Sequence, residues 1–212
     1  YYNSLMTIEI KRSIKPVKYN HAIKELEHRV DQLIKKKEKD ELIWFLEHPS
    51  IFTTGGSYNE SDIIDKSISV TKTSRGGKIT WHGPGQLICY FVINLNEREK
   101  DIRKFITIIE KSIIQTLDEF NIKSESDRKK IGIWYKSKKN INKVAAIGVR
   151  VKRWIAYHGF SINVSNQLKE YEKIIPCGIH DRGVTNLTKI KKQNYSKLSL
   201  ILEKNLTNFL KI

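Results

Sequence analysis

Hydrophobic positions recur along this chain with two different periods, and the switches between them outline its elements. Between Asn20 and Lys37, the residues Ile23, Leu26, Val30, Leu33 and Ile34 fall at helical spacing, with Asn20 positioned as a cap. The stretch Glu41 to Glu47 (ELIWFLE) is short, aromatic and closed by His48-Pro49, so it predicts a strand, followed by a polar loop through Thr53-Thr54-Gly55-Gly56. Leu87 to Asn94 (LICYFVIN) predicts a second strand behind a glycine-rich loop. From Asp101 to Asn121 the positions Ile102, Phe105, Ile106, Ile109, Ile113, Leu117 and Phe120 form one stripe of a long amphipathic helix.

Beyond that helix, Ile131 to Lys136, Lys143 to Val151 and Trp154 to Val164 predict three strands, with a polar turn at Lys139-Asn140 and a tight turn at Lys152-Arg153. Helical spacing returns from Ser196 to Leu210, where Leu198, Ile201, Leu202, Leu206 and Phe209 share a side. Hairpins require antiparallel pairing, and strands grouped between helices without regular alternation predict an α+β domain with a mixed sheet. No repeat or abrupt shift in composition divides the 212 residues, so residues 1–212 are expected to form a single domain.

Composition narrows the functional classes. No apolar stretch approaches the roughly 20 residues of a membrane helix, and the amino end lacks the pattern of a secretory signal. A cytoplasmic, membrane-free protein is expected. Its formal net charge of +16 favours acidic partners of any kind, or reflects nothing more than a lysine-rich solvated surface. Two cysteines, Cys89 and Cys177, are too few for a disulfide framework or a paired-cysteine zinc site. The question becomes which thiol reacts.

Three segments carry candidate chemistry. In Arg75-Gly76-Gly77-Lys78-Ile79-Thr80-Trp81-His82-Gly83-Pro84-Gly85-Gln86, glycines let backbone approach a ligand, or simply make a decorated turn. It is no phosphate-binding loop, because the Gly-Lys-Ser/Thr ending is missing. In Lys143-Val144-Ala145-Ala146-Ile147-Gly148, the small residues leave room above a sheet for a thin aliphatic chain or for a closely packed helix. In Ile174-Ile175-Pro176-Cys177-Gly178, a cysteine between proline and glycine sits on a constrained loop that can present a thiol. Cys89, inside an apolar run, is expected to be buried and inert.

Together, RGGKITWHGPGQL, KVAAIGVRVKRWIAYHGFSINV and IIPCGI followed by GVTNL resemble, in order and spacing, the three signature blocks of the lipoyl(octanoyl) transferase family, with likeness from about Ile43 to Leu187. Trp81 departs from the usual tyrosine or phenylalanine, and Asn186 from a common serine. The resemblance implies the fold shared with biotin and lipoate ligases, a mixed sheet flanked by helices, with the acyl group between the glycine-rich loop and the sheet. It places Cys177 on the acyl-thioester nucleophile and Lys143 on the lysine that activates it. Arg75, Gly76, Gly77, Lys78, Ile79, Thr80, Trp81, His82, Ala146, Ile147, Gly148, Gly159, Phe160 and Ser161 fall on substrate-binding segments.

The implied reaction moves an octanoyl group from acyl carrier protein, through a Cys177 thioester, to a lysine of a lipoyl domain. The acceptors implied are 2-oxoacid dehydrogenase E2 subunits and the glycine cleavage H protein. A cysteine with pKa ~8.5 is only a few per cent thiolate at neutral pH, so a lysine ammonium beside Cys177 would favour the reactive form. Backbone amides near Cys177-Gly178, with His82, are candidates to hold the oxyanion. The resemblance implies no cofactor and no metal, and a monomer is expected. Two rivals stand beside this reading. An ATP-dependent lipoate or biotin ligase shares the fold without needing a cysteine, and a nucleic-acid binder has only the charge in its favour.

Overall fold

The computed structural model describes residues 7–37, 40–178 and 181–210, the side chain of Cys177 excepted. In chain order the elements are β1 (Ile8–Arg12), α1 (Tyr19–Ile34), β2 (Glu41–Leu46), β3 (Ile51–Thr54), β4 (Val70–Lys72), β5 (Thr80–His82), β6 (Gln86–Asn94), α2 (Ile102–Glu119), β7 (Glu125–Ser126), β8 (Ile133–Lys136), β9 (Ile141–Lys152), β10 (Ile155–Asn163), β11 (Gly183–Val184), α3 (Leu187–Ile190) and α4 (Leu198–Leu210). The large sheet runs β1-β2-β6-β10-β9-β8-β7. It is mixed: β1 lies parallel to β2 and β11 parallel to β9, while the other neighbours are antiparallel. A smaller sheet, β4-β3-β5, stands beside it.

Every residue of β2 is buried, because both faces of the large sheet are covered. Its alternate side chains serve different layers. Leu42, Trp44 and Leu46, with Ile88, Tyr90 and Val92 of β6, pack against Ala22, Leu26 and Val30 of α1. Ile43 and Phe45, with Cys89, Phe91 and Ile93, face Phe105, Ile109 and Ile113 of α2 and Leu202 and Leu206 of α4. The continuous apolar runs in the sequence are therefore two interleaved half-patterns. One buried ion pair closes the layers: Arg98 grips Glu41, 1% exposed, through two bonds of 2.6 and 2.7 Å, and also donates to the Leu210 carbonyl at 3.1 Å.

The α+β class and mixed sheet match the expectation, with four local differences. Helix α1 starts at Tyr19 with Lys18 at its cap and no side-chain cap bond, so Asn20 lies inside the first turn. By contrast, Asp101 caps α2, accepting from the amides of Arg103 and Lys104 at 2.8 and 3.0 Å. Thr53 and Thr54 belong to β3 rather than to a loop, and β1, too short and too polar to show in the pattern, pairs alongside β2.

The last difference concerns the tight turn between β9 and β10. Lys152 pairs with Ile155, so the turn residues are Arg153 and Trp154, both left-handed at φ 50° and 64°. Two-residue hairpins with this twist favour Asn-Gly, because each bulky residue there costs about 1–2 kcal/mol. Replacing both residues, Arg153→Asn with Trp154→Gly, is expected to raise stability by about 1 kcal/mol after the entropy that glycine adds to the unfolded chain. The urea midpoint measures it; an unchanged or lower midpoint would show that the native side chains stabilise the turn in another way.

Candidate active site

A cleft of about 490 Å³ opens along the large sheet, lined by Tyr19, Ile88 and Tyr90 from the α1 side and reaching Ile102 and Ile106 of α2. Its floor follows from strand register. Tyr90, Gly159 and Gly148 stand side by side across β6, β10 and β9, and one step along come Ile88, Ser161 and Ala146. Two facing glycines leave that part of the floor without side chains. Gly159 has no alternative, since a Cβ there would lie 1.9 Å from the Cys89 carbonyl oxygen.

Lys143 reaches the same floor through a defect in β9. Ile133 and Trp134 are adjacent on β8, yet they pair with Ala145 and Lys143, so Val144 is an extra residue. The bulge lets Val144 and Ala145 both enter the α2 and α4 core, which turns Lys143 and Ala146 together toward the cleft. There Lys143 is 6% exposed, its Nζ donates to the Ile131 carbonyl at 3.1 Å, and it stands over the Trp134 ring at 4.8 Å. Gly132 makes room for it: a Cβ there would come within 2.9 Å of Lys143 Cε.

The loop Arg75 to Lys78 forms the roof. Arg75 donates to the backbone and hydroxyl oxygens of Thr53 at 2.8 and 3.0 Å, and Arg150 donates to the Ser74 carbonyl at 2.9 Å, tying the loop to β3 on one side and β9 on the other. Alternation along β5 then divides the remaining residues. Lys78, Thr80 and His82 line the cleft, whereas Ile79 and Trp81 point away and pack with Phe52, Tyr171 and Ile174. Of the substrate-binding segments read from the sequence, Arg75, Gly76, Gly77, Lys78, Thr80, His82, Ala146, Ile147, Gly148, Gly159, Phe160 and Ser161 line the cleft; Ile79 and Trp81 do not, because the strand's period of two turns them into that apolar cluster.

The Cys177 side chain, and with it the distance to Lys143, lies outside the described residues. Its backbone belongs to a single helical turn, Pro176–Gly178, in which Gly178 is left-handed (φ 63°) and a Cβ would lie 2.4 Å from Lys78 Nζ. Downstream, Val184 of β11 pairs with Lys143, and the Thr185 amide donates to the Lys143 carbonyl at 2.9 Å. Cys89 is wholly buried, and burial holds its thiol far above the ordinary range.

Sequence reading missed a set of buried polar rings at the cleft: Tyr19, Tyr90 and His158, which line it, and His48 behind them. His48 donates from Nδ1 to the Val17 carbonyl at 2.6 Å and accepts at Nε2 from the Tyr90 hydroxyl at 2.8 Å. His82 donates from Nδ1 to Gln86 Oε1 at 2.6 Å. Gln86 is held in that orientation because its amide donates to Asn163 Oδ1 and the Tyr171 hydroxyl, both at 2.8 Å. Burial, then the charges of His48 and Arg75, push His82 down to about 3. A neutral ring with its proton on Nδ1 leaves Nε2 an acceptor, so His82 is not suited to donate to an oxyanion. The only sequence signal for these rings was histidines beside proline or glycine in a lysine-rich chain. Among the described residues no cluster of three or more His, Cys, Asp or Glu side chains is arranged to hold a metal.

The sequence matches the family described as "Lipoyl protein ligase A/B catalytic domain" over residues 19–201. It is 44% identical over 173 residues to an octanoyltransferase of Wolbachia pipientis subsp. Culex pipiens (strain wPip), covering 81% of this chain and 84% of that one. It is 42% identical over 189 residues to an octanoyltransferase of Bartonella tribocorum, covering 84% and 77%. The chain belongs to the octanoyltransferase family. It is thus an acyltransferase that handles octanoyl groups, as the expected resemblance implied. Solved structures share the fold: a bi-partite lipoate protein ligase from Thermoplasma acidophilum (TM-score 0.71, 12% identity, 98% of this chain and 85% of that one) and a lipoate-protein ligase A bound with ATP (TM-score 0.70, 13% identity, 98% and 86%). No helix of the described residues is long and apolar enough to cross a membrane.

Two predictions follow from burial. Alkylation by iodoacetamide of the native protein is expected to leave Cys89 unmodified until denaturant is added; peptide mass mapping reads this, and modification under native conditions would contradict its burial. Among the described residues, the three buried histidines all sit below their ordinary value of 6.5, chiefly through burial, with His158 at about 4 and His82 at about 3. The unfolded chain therefore binds more protons, so their contribution to stability is complete above pH 6.5 and is lost as pH falls toward 4. Each contributes a slope of about 1.4 kcal/mol per pH unit within its window. Urea unfolding at pH 7, 6 and 5 should show stability falling by more than one proton's slope; a flat profile would contradict the neutral rings.

Proposed function

We propose that this cleft carries octanoyl from an acyl carrier protein thioester to a lysine of a lipoyl domain, with Cys177 as the intermediate acyl carrier and Lys143 as its activating amine. The observation that carries the reading is a nearly buried lysine, Lys143, in a cleft of about 490 Å³ whose floor is glycine and alanine and whose roof is backbone. Support for the nucleophile comes from the backbone: the Pro176–Gly178 turn abuts Lys78, and the strand after it pairs beside Lys143; both lysines line the cleft.

In the first half-reaction the Cys177 thiolate attacks the donor's carbonyl carbon. The carbon–sulfur bond to the carrier breaks, and the carrier leaves as a thiol after taking up the proton Cys177 gave up. In the second, the acceptor lysine's neutral amine attacks the Cys177 thioester, an amide forms and Cys177 departs. Lys143, in its neutral form, removes the amine's extra proton. Thioester to amide is downhill, so no ATP is consumed. At about 0.8 kcal/mol per buried methylene, the tail contributes on the order of 5 kcal/mol of binding.

The proposed acceptors are the lipoyl domains of 2-oxoacid dehydrogenase E2 subunits and the glycine cleavage H protein. The Thermoplasma ligase of similar fold was described with its E2 lipoyl domain. In this reading residues 1–212 act as one catalytic domain, a monomer working in the cytoplasm. The net charge of +16 would then steer acidic partners, so kcat/KM should fall steeply with added salt; a rate indifferent to salt would remove steering from the account.

Intact-mass analysis after mixing with octanoyl-carrier in the absence of ATP provides the test. One octanoyl adduct is expected on the wild type and on Cys89→Ser, and none on Cys177→Ser. Lys143→Met should slow transfer to a lipoyl domain by about 10²-fold or more. Transfer that requires ATP, or that survives Cys177→Ser, would overturn the reading in favour of a ligase.

A further inference from the structure

His158 breaks the rule that governs its strand. Alternation along β10 sends Ala156, Phe160 and Ile162 to the α2 and α4 core and Tyr157 to the opposite layer, so His158 belongs by position with the core. Instead its backbone is left-handed, at φ 69°, a conformation non-glycine residues rarely adopt. The ring swings out to stack on Tyr157, with centroids 4.9 Å apart and planes 20° from parallel, and it lines the cleft. It is 2% exposed, and neither ring nitrogen has a hydrogen-bond partner among the described residues. A strained backbone that places an unserved polar ring in a binding cleft calls for a functional explanation.

Its place along the cleft supplies one. His158 pairs with Val149, one step beyond the facing glycines Gly148 and Gly159, while Lys143 stands toward the other end of the same floor. We infer that His158 is the chain-length stop of the octanoyltransferase: the acyl tail runs from Lys143 over Ala146 and past Gly159, and the imidazole ends its path. The inference rests on the proposed direction of the acyl chain. At roughly 3.3 Å per residue, Lys143 and Gly148 are about 15 Å apart. An extended eight-carbon chain takes up about 9 Å of this, and the lysine side chain with the thioester carbonyl occupies the remainder.

The physical effect is steric. The ring is stacked on Tyr157 and almost wholly buried, so alkyl carbons beyond the eighth meet a side chain with no room to withdraw. Burial holds the ring neutral, with the charges of Arg75 and Arg150 acting in the same direction.

The test uses a series of acyl-carrier thioesters from hexanoyl to dodecanoyl, reading enzyme adduct formation, together with calorimetric binding of free octanoate and dodecanoate. His158→Gly suits the left-handed backbone and removes the ring. His158→Asn also tolerates that backbone, keeps a polar group and is shorter, so it decides the matter if the glycine variant fails to fold. The expected result is a rise of about tenfold or more in the dodecanoyl-to-octanoyl ratio for His158→Gly, and a smaller rise for His158→Asn. A merely structural role would lower all chain lengths alike and leave the ratio where it was, and that outcome overturns the inference. Wild-type protein that forms no octanoyl adduct would instead sink the proposed function, while the fatty-acid binding ratio would still judge His158.

Discussion

One extra residue in β9 decides which side chains meet in the cleft. A regular strand would put Lys143 on the same face as Ala145 and Ile147, inside the core formed with α2 and α4. Because Val144 is looped into the ladder opposite β8, the parity of the strand reverses at that point, and the lysine joins Ala146 and Gly148 on the side that faces the roof. Much else depends on this. Gly132 must lack a side chain to let the lysine pass, Trp134 gives the ammonium an aromatic face, and β11 pairs with the strand beside the bulge. The segment that carries Cys177 is thereby anchored by its downstream strand to the residue proposed to activate it.

The floor beyond the bulge is built by subtraction. Gly148 and Gly159 face one another across two hydrogen-bonded strands, and Ala146 and Ser161 follow, so the sheet is bare where its neighbours bear Tyr90 and Ile88. Bare sheet exposes backbone, and the roof compensates by bringing its own backbone close. A Cβ at Gly55 would lie 2.1 Å from the Gly77 carbonyl oxygen, so the roof and β3 are in contact where a side chain would separate them. Glycine in these places serves close approach, and the arginine at the head of the roof, bonded to Thr53, fixes its height.

What the sequence revealed and what it concealed follow the range of the interactions involved. Helix α2 could be read from Asp101 to Asn121, because helical spacing is local. The burial of Cys89 could be read from the apolar residues on either side of it. The two faces of β2 and β6 could not, since a strand covered on both sides shows no alternation. Strand β5 was hidden among glycines, and β1 by its short, polar sequence. The hairpin turn lay one residue away because Arg153-Trp154 lacks the Asn-Gly signature of its geometry. For the site, the glycine-rich, alanine-rich and cysteine segments were visible as composition. The bulge at Val144 and the left-handed His158 were not, because each is imposed by pairing with strands distant in sequence.

Electrostatics then separates the cleft into parts. Lys78 abuts the turn that holds Cys177 and lines the cleft together with Lys143, at the end where the proposed thioester exchange would develop charge. His48, His82 and His158 are kept neutral by burial, and the last two line the cleft, so polar rings stand there without charge of their own. The arrangement has a direction built into it. In the proposed reaction a thioester would enter with its carbonyl toward the lysines and its tail toward the neutral rings. The reverse orientation would bury an apolar tail against two ammonium groups and place the reacting carbonyl where His82, fixed by Gln86 as an acceptor, has no proton to offer it. On that proposal, the positions of the donors and acceptors would orient the substrate along with the shape of the cleft.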